Sequence, residues 1–322
     1  MRSWVLALVA ACRFSPGATS DGGPNADAAM IDAIDSGTPR NTCLNEWMHP
    51  ETLAFTQRRA LAELNSTDAE RDPSLSADEL QIWFTTRRTT TNVYNYQIWT
   101  ALRSSTADTF GPITVDTQAS GTLVDTYRRY QNTNNTAYVI ASNRVDTNGF
   151  TDIWLSTRVD GQFTTPSNEK LSNVDTAFNQ YDPWISDDLK ELVYASVDSG
   201  VEQIWRATRT DDDGDFDEPV RQVDLDLGGL SADPTLFAND QVIVFSSINA
   251  SNVGGAVNSD LWYALANGDN HWSTANQLPV NTVNTADAEG DPWVSPDGCH
   301  MYFAAHVDMR DLDLFEADVI VH

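Results

Sequence analysis

From residue 45 onward, short apolar runs rich in β-formers alternate with polar, turn-forming clusters, and the alternation itself repeats. A turn-rich acidic lead-in followed by a strand runs from Asp182-Pro183 to Ser196. The same pattern recurs without gaps from Asp72-Pro73 to Thr86, from Asp233-Pro234 to Ser247 and from Asp291-Pro292 to Ala305. A worn copy, headed by Arg128-Arg129 in place of Asp-Pro, runs to Ser142. Each copy carries a second landmark of polar, aliphatic and aromatic residues: Gln97-Ile98-Trp99, Asp152-Ile153-Trp154, Gln203-Ile204-Trp205, Asp260-Leu261-Trp262 and Asp313-Leu314-Phe315. A third landmark follows in most copies, at Phe110, Phe163, Phe216 and Trp272, after turn signals such as Asp160-Gly161 and Asp213-Gly214. Each repeat therefore predicts about four strands joined by turns. A period of about 50 to 60 residues with that content predicts a β-propeller.

The fifth copy stops soon after Phe315, before its third landmark. A matching landmark stands at the other end of the repeats, as Trp47-Met48-His49-Pro50. The expectation is an all-β chain, a five-bladed β-propeller of four-stranded blades. An N-terminal strand completes the last blade and closes the ring, which leaves no large sheet edge unpaired.

The leader changes the picture of where the domain sits. Met1-Arg2-Ser3 is a basic start, and Trp4 to Ala11 is an apolar run long enough for a signal h-region and too short to span a bilayer. The sequence Val9-Ala10-Ala11-Cys12 resembles the lipobox of bacterial lipoproteins. That resemblance implies removal of residues 1–11, lipidation of Cys12 and a membrane partner through the lipid. The alternatives are an ordinary secretory signal cut nearby and a misassigned start codon. Arg13 in place of Asp after the Cys is consistent with onward sorting to an outer membrane of the bacterial cell envelope. Residues 12–44 are otherwise rich in Gly, Ala, Ser, Pro and Asp, too polar to fold, and read as a tether of roughly 30 Å. Residues 45–322 are the expected propeller.

With Cys12 lipidated, Cys43 and Cys299 remain, in an oxidising context. Ring closure places Cys43 beside the blade that holds Cys299. A Cys43–Cys299 disulfide is expected, two idle thiols being the alternative.

Charge narrows the partners. With 47 acidic against 19 Lys and Arg residues the chain carries a formal charge of −28, which repels phosphate backbones and argues against nucleic acid as a partner. Ten Trp exclude disorder throughout.

The pattern Asp-Pro-x-x-Ser-x-Asp-Gly, with Ser295-Pro296-Asp297-Gly298 and Asp152-Ile153-Trp154 as its nearest matches, resembles the TolB-like (WD40-like Asp-Pro) propeller repeat of bacterial exported proteins. The resemblance covers roughly residues 45 to 322. It implies a module that binds a protein or envelope component, here a monomeric propeller with five blades where TolB has six.

Candidate chemistry is sparse. The heads of the repeats, Asp72, Arg128, Asp182, Asp233 and Asp291, are placed to ring one channel mouth and hold a ligand or cation. Their recurrence favours a structural role at the start of a strand. Asp72-Pro73-Ser74-Leu75 and Asp182-Pro183-Trp184-Ile185 also resemble Asp motifs of five-bladed arabinanase- and xylosidase-type glycosidases. No Glu stands in the Glu-Gly-Pro-like setting of that family's acid. Nucleophile-elbow and His-Glu-x-x-His patterns are missing too. The expectation is a non-catalytic binding module rather than an enzyme, with carbohydrate binding or glycosidase chemistry at the channel mouth as the alternative. His300 and His306 read as surface or turn residues. The acidic run at Asp211, Asp213 and Asp215 reads as a hairpin turn, with a weak calcium site as the alternative and no other cofactor.

Overall fold

The computed structural model describes residues 42–88, 95–121, 124–144, 150–198, 200–249, 251–253, 255, 258–268, 270–307 and 311–322. The expected signal peptide, Cys12 and nearly all of the tether lie outside the described residues.

The described chain enters through a short helix, α1 (Thr42–Trp47), and a two-residue strand, β1 (Arg59–Ala60). Blade 1 is β2 (Glu70–Leu75), β3 (Gln81–Thr86), β4 (Gln97–Leu102) and β5 (Thr114–Val115). Blade 2 is β6 (Thr126–Gln131), β7 (Ala137–Ser142), β8 (Asp152–Val159) and β9 (Gln162–Phe163). Blade 3 is β10 (Gln180–Ile185), β11 (Glu191–Ser196), β12 (Gln203–Thr208) and β13 (Val220–Arg221). Blade 4 is β14 (Leu230–Phe237), β15 (Val242–Ile248), β16 (Ser259–Leu265) and β17 (Asn276–Gln277). Blade 5 has β18 (Glu289–Val294), β19 (His300–His306) and β20 (Leu312–Asp318). Its fourth, outer strand is β1. The protein is a five-bladed β-propeller of four-stranded antiparallel blades, closed as expected by an N-terminal strand.

The landmarks mark the packing. The aliphatic residue of each polar–aliphatic–aromatic motif (Ile98, Ile153, Ile204, Leu261 and Leu314) is buried on the third strand of its blade. In blades 1, 3 and 5 a Ser-x-Asp turn joins the first two strands. In blade 1 Ser76 donates to Asp78 at 2.6 Å while Gln81 N donates to Ser76 at 3.0 Å. Blades 3 and 5 repeat this with Ser186 and Asp188, and with Ser295 and Asp297.

The closing strand lies further along the chain than Trp47–Pro50 suggests. Arg59 pairs with Glu316 and Ala60 with Phe315. Trp47 instead ends α1, which packs against blades 4 and 5 beside the closure. Its indole is fully buried against Phe55, Phe237 and Tyr263, and its Nε1 donates to Gly298 O at 2.9 Å. A side chain at Gly298 would be crowded here. The glycine has φ 72°, and a Cβ would come within 2.8 Å of Leu44 and 3.2 Å of Trp47. One turn back in the helix, Cys43 is bonded to Cys299, with Cα atoms 5.1 Å apart.

The blade 5–blade 1 seam also carries a polar network. His300 Nδ1 lies 2.8 Å from Glu79, Tyr302 donates to Glu79 at 3.2 Å, and Arg103 donates to Tyr302 at 3.0 Å. The hydrogen bond to Glu79 raises the His300 pKa despite partial burial. His300 is thus a half-buried seam residue, not the surface residue its position in the sequence suggests. His306 ends the same strand, its N–H donating to Ala288 O at 2.9 Å.

The Cys43–Cys299 bond closes a loop with a sequence separation of 256. Reduction, or the Cys43→Ser variant, is expected to cost about 2–5 kcal/mol, because it frees that loop in the unfolded chain. Urea melts with and without reductant measure this. An unshifted midpoint would mean that β1 and α1 hold the seam alone.

Candidate functional site

Each inner strand is interrupted at its head. The pairing of first and second strands shifts register between Arg71 and Ser74, Tyr127 and Arg129, Tyr181 and Trp184, Ala232 and Thr235, and Gly290 and Trp293. Proline after the head has no N–H to offer the ladder, so four of the heads sit at bulges of this kind. All five heads take the left-handed conformation, with φ 52° at Asp72, 33° at Arg128, 50° at Asp182, 55° at Asp233 and 54° at Asp291. Asp tolerates this region better than most residues.

The geometry turns the heads onto one another around the channel. Asp291 N donates to Asp233 Oδ2 at 3.1 Å, Asp72 N to Asp291 Oδ2 at 3.2 Å, and Arg128 N to Asp72 Oδ2 at 3.4 Å. The carboxylates of Asp233, Asp291 and Asp72 thereby each take the N–H of the next blade's head. Arg128 cannot accept, and breaks the series between blades 2 and 3. Its side chain instead crosses the channel. Fully buried, it donates to Pro292 O at 3.1 Å, to Pro234 O at 3.2 Å and to Thr235 Oγ1.

The structure therefore brings all five predicted heads together, and adds residues that the repeat does not contain. Carboxylate oxygens of Asp72, Asp182 and Asp291 lie within 4.8 Å of one another, the one such group among the described residues with the spacing to hold a metal ion. Arg128 and Arg71 already supply positive charge there. Burial pushes Asp182 well above the usual carboxylate range, and Asp233 and Asp72 add to it; for Asp291 burial is joined by Asp72 and Asp233. Burial opposes the charge of Arg71, but Asp291 and Asp72 outweigh it and hold its pKa up. Like charges this close disfavour full ionisation, which is part of what raises Asp182 and Asp291.

Beside the ring opens a cavity of about 420 Å³, lined by Arg71, Tyr127, Tyr181, Glu202 and the four acidic heads. Glu202 stands on the loop between β11 and β12, and burial, then Asp233, pushes it up to about 7. The residue before each head varies. It is Arg71, Tyr127 or Tyr181 in blades 1 to 3, but Ala232 and Gly290 in blades 4 and 5, and blade 4 supplies much of the basin's wall. Chemically, the basin offers a carboxyl able to give up a proton near neutrality, further carboxyl groups for hydroxyls, and two phenol rings as walls.

Asp211, Asp213 and Asp215 lie elsewhere, on an exposed turn between β12 and β13. Arg209 donates to Gly214 O at 2.8 Å inside that turn, and Lys170 faces Asp215 at 3.9 Å. They are not among the carboxylates that the fold brings together.

No family model matches the sequence, and no curated protein does. Among solved structures, the chain is similar to a putative TolB from Agrobacterium tumefaciens, at 14% identity over 82% of this chain and 86% of that one, with a TM-score of 0.50. It is similar to the α-L-arabinofuranosidase PaAbf62A from Podospora anserina, at 11% identity over 83% and 96%, TM-score 0.53. A thermostable family-43 glycoside hydrolase aligns at 13% identity over 78% and 89%, TM-score 0.50. The likeness is one of fold, to TolB-like and glycoside hydrolase propellers alike.

The expectation that the chain is not an enzyme is corrected by this comparison, because glycoside hydrolases share the propeller. The expectation rested on a missing Glu motif. Glu202 sits on a loop whose position in sequence no motif fixes, and its proton-holding environment arises only on folding.

Replacing Arg128 with Met should remove the cation from a buried carboxyl cluster and leave Pro234 O without the donor Arg128 supplies, at a cost of about 3–5 kcal/mol at pH 7. The deficit should shrink as pH falls and the cluster takes up protons. Urea melts at pH 5 and pH 7.5 check both the size and the sign.

Proposed function

We propose that the basin binds a carbohydrate and that Glu202 acts there as a general acid in glycosidic bond cleavage. One observation carries the reading: a carboxyl held at about 7 in the same cavity as other carboxyl groups and two tyrosines. Glycoside hydrolysis needs a protonated acid to release the leaving oxygen and a second carboxylate across the bond. Asp72 and Asp233 are the ring members to serve as that second group. Tyr127 and Tyr181 supply apolar faces on which a sugar ring stacks.

A panel of aryl glycosides that includes the α-L-arabinofuranoside tests this, beside calorimetry with oligosaccharides. Glu202→Gln should lower kcat by about 10²–10⁴-fold while leaving binding intact. Because the acid must be protonated, the rate should fall as pH rises through about 7. A chain that neither binds nor cleaves any member of the panel sinks the proposal.

A second reading, docking of a protein or envelope component at the same mouth, is favoured by exposed apolar side chains on its rim. Phe150 is 83% exposed, Phe178 44% and Val201 50%, each just ahead of a strand that starts at this end. A pull-down from envelope extract that yields a stoichiometric protein, with no glycan bound, would favour it.

In either case we propose that the chain is lipidated at Cys12 and held off a bacterial membrane by its tether. Cys12→Ala should move the protein from the membrane to the soluble fraction. Continued membrane attachment would remove the anchor from the account.

A further inference from the structure

The opposite mouth of the channel holds a second cavity, of about 290 Å³, near the lower bound for small-molecule sites. The inner strands of all five blades end around it. Its wall includes Leu75 of blade 1, Tyr130 of blade 2, Trp184 of blade 3, Leu236 of blade 4 and Trp293 of blade 5. Arg128, bonded to the carbonyls of Pro234 and Pro292 just past two heads, stands between this cavity and the basin.

The wall is apolar and held in place. Trp184 Nε1 donates to Leu236 O at 3.0 Å, and the Tyr130 and Trp184 rings lie 5.8 Å apart. The rim is acidic. Asp187 and Asp188 line it from the β10–β11 turn and Asp240 from the β14–β15 turn, and no Lys, Arg or His lines the cavity among the described residues. Blade 4 departs here from the Ser-x-Asp turn. Ala238, Asn239 and Asp240 are all left-handed, with φ 57°, 53° and 64°. Asp240 is half-buried and faces Glu191 of β11, Arg206 of β12, and Asp187 and Asp188 of the neighbouring turn. Arg206 is already committed to Glu191, at 2.5 Å. Burial, then Glu191, pushes Asp240 up to about 7, the signature of a carboxyl short of a counter-ion.

We propose that this mouth binds a small organic cation, an ammonium or quaternary ammonium group on an apolar body. The body lies against Tyr130, Trp184, Trp293 and the aliphatic wall, and the charge faces Asp187, Asp188 and Asp240. Aromatic rings favour a cation over a neutral group of the same shape, and an anion would meet three carboxylates.

Calorimetry on the full chain with benzyltrimethylammonium, against benzyl alcohol as the neutral probe, tests it. The cation should bind about tenfold tighter than the alcohol. Its affinity should rise as pH rises from 6 to 8, because Asp240 ionises across that range. Asp240→Asn keeps a residue suited to the left-handed turn. It should weaken cation binding several-fold and flatten the pH dependence, leaving alcohol binding unchanged. Glu202→Gln should leave cation binding untouched, which separates this site from the basin. Equal affinity for the two probes, no binding of either, or full cation binding by Asp240→Asn would each overturn the proposal.

Discussion

The structure depends on a constraint repeated at the start of each inner strand: a residue forced left-handed, its side chain turned into the channel. There, three of the acidic heads accept the backbone N–H of the next blade. A propeller is held together largely by apolar packing between blades, which is non-directional. The head series adds direction, fixing the rotation and height of neighbouring blades. The same constraint crowds carboxyl groups, and the upward push on Asp182 and Asp291 follows from it. Arg128 relieves the crowding from within. Its place in the worn repeat is a change of role, from acceptor in the ring to a bar across it.

Structure and chemistry are separated along the strand by one residue. The heads repeat because every blade needs them. The position just before each head does not repeat: it is bulky in blades 1 to 3 and small in blades 4 and 5. Gly290 also lets Asp233 approach, since a Cβ would lie 3.2 Å from its Oδ2. A ring built for stability thus varies the wall of its basin without any change to its frame.

Much of the fold was legible in the chain. The Asp-Pro heads, the buried aliphatic of each third strand and the truncated fifth repeat sufficed for blade count and closure. Closure in turn placed Cys43 beside Cys299. What escaped was local. Trp47 resembles an outer-strand aromatic, but its indole packs beside the closure from a helix, and sequence similarity alone does not distinguish the two. The basin was half legible. The heads were visible as a repeat, yet Glu202 and the paired tyrosines lie outside every landmark. Their chemistry comes from burial and neighbouring charge, which no spacing in the sequence expresses. The one available signal was variation at a fixed position beside an otherwise constant head.

The two-residue closing strand also sets an order of events. Blade 5 borrows β1 from the first part of the propeller to leave the ribosome and pairs it with β20, the last strand made. No nascent chain can complete the ring, however many blades it has finished. Until β20 emerges, β1 lacks its partner. Its contacts of greatest sequence separation are also the last to form, so the ring closes only after blade 5 has its third strand.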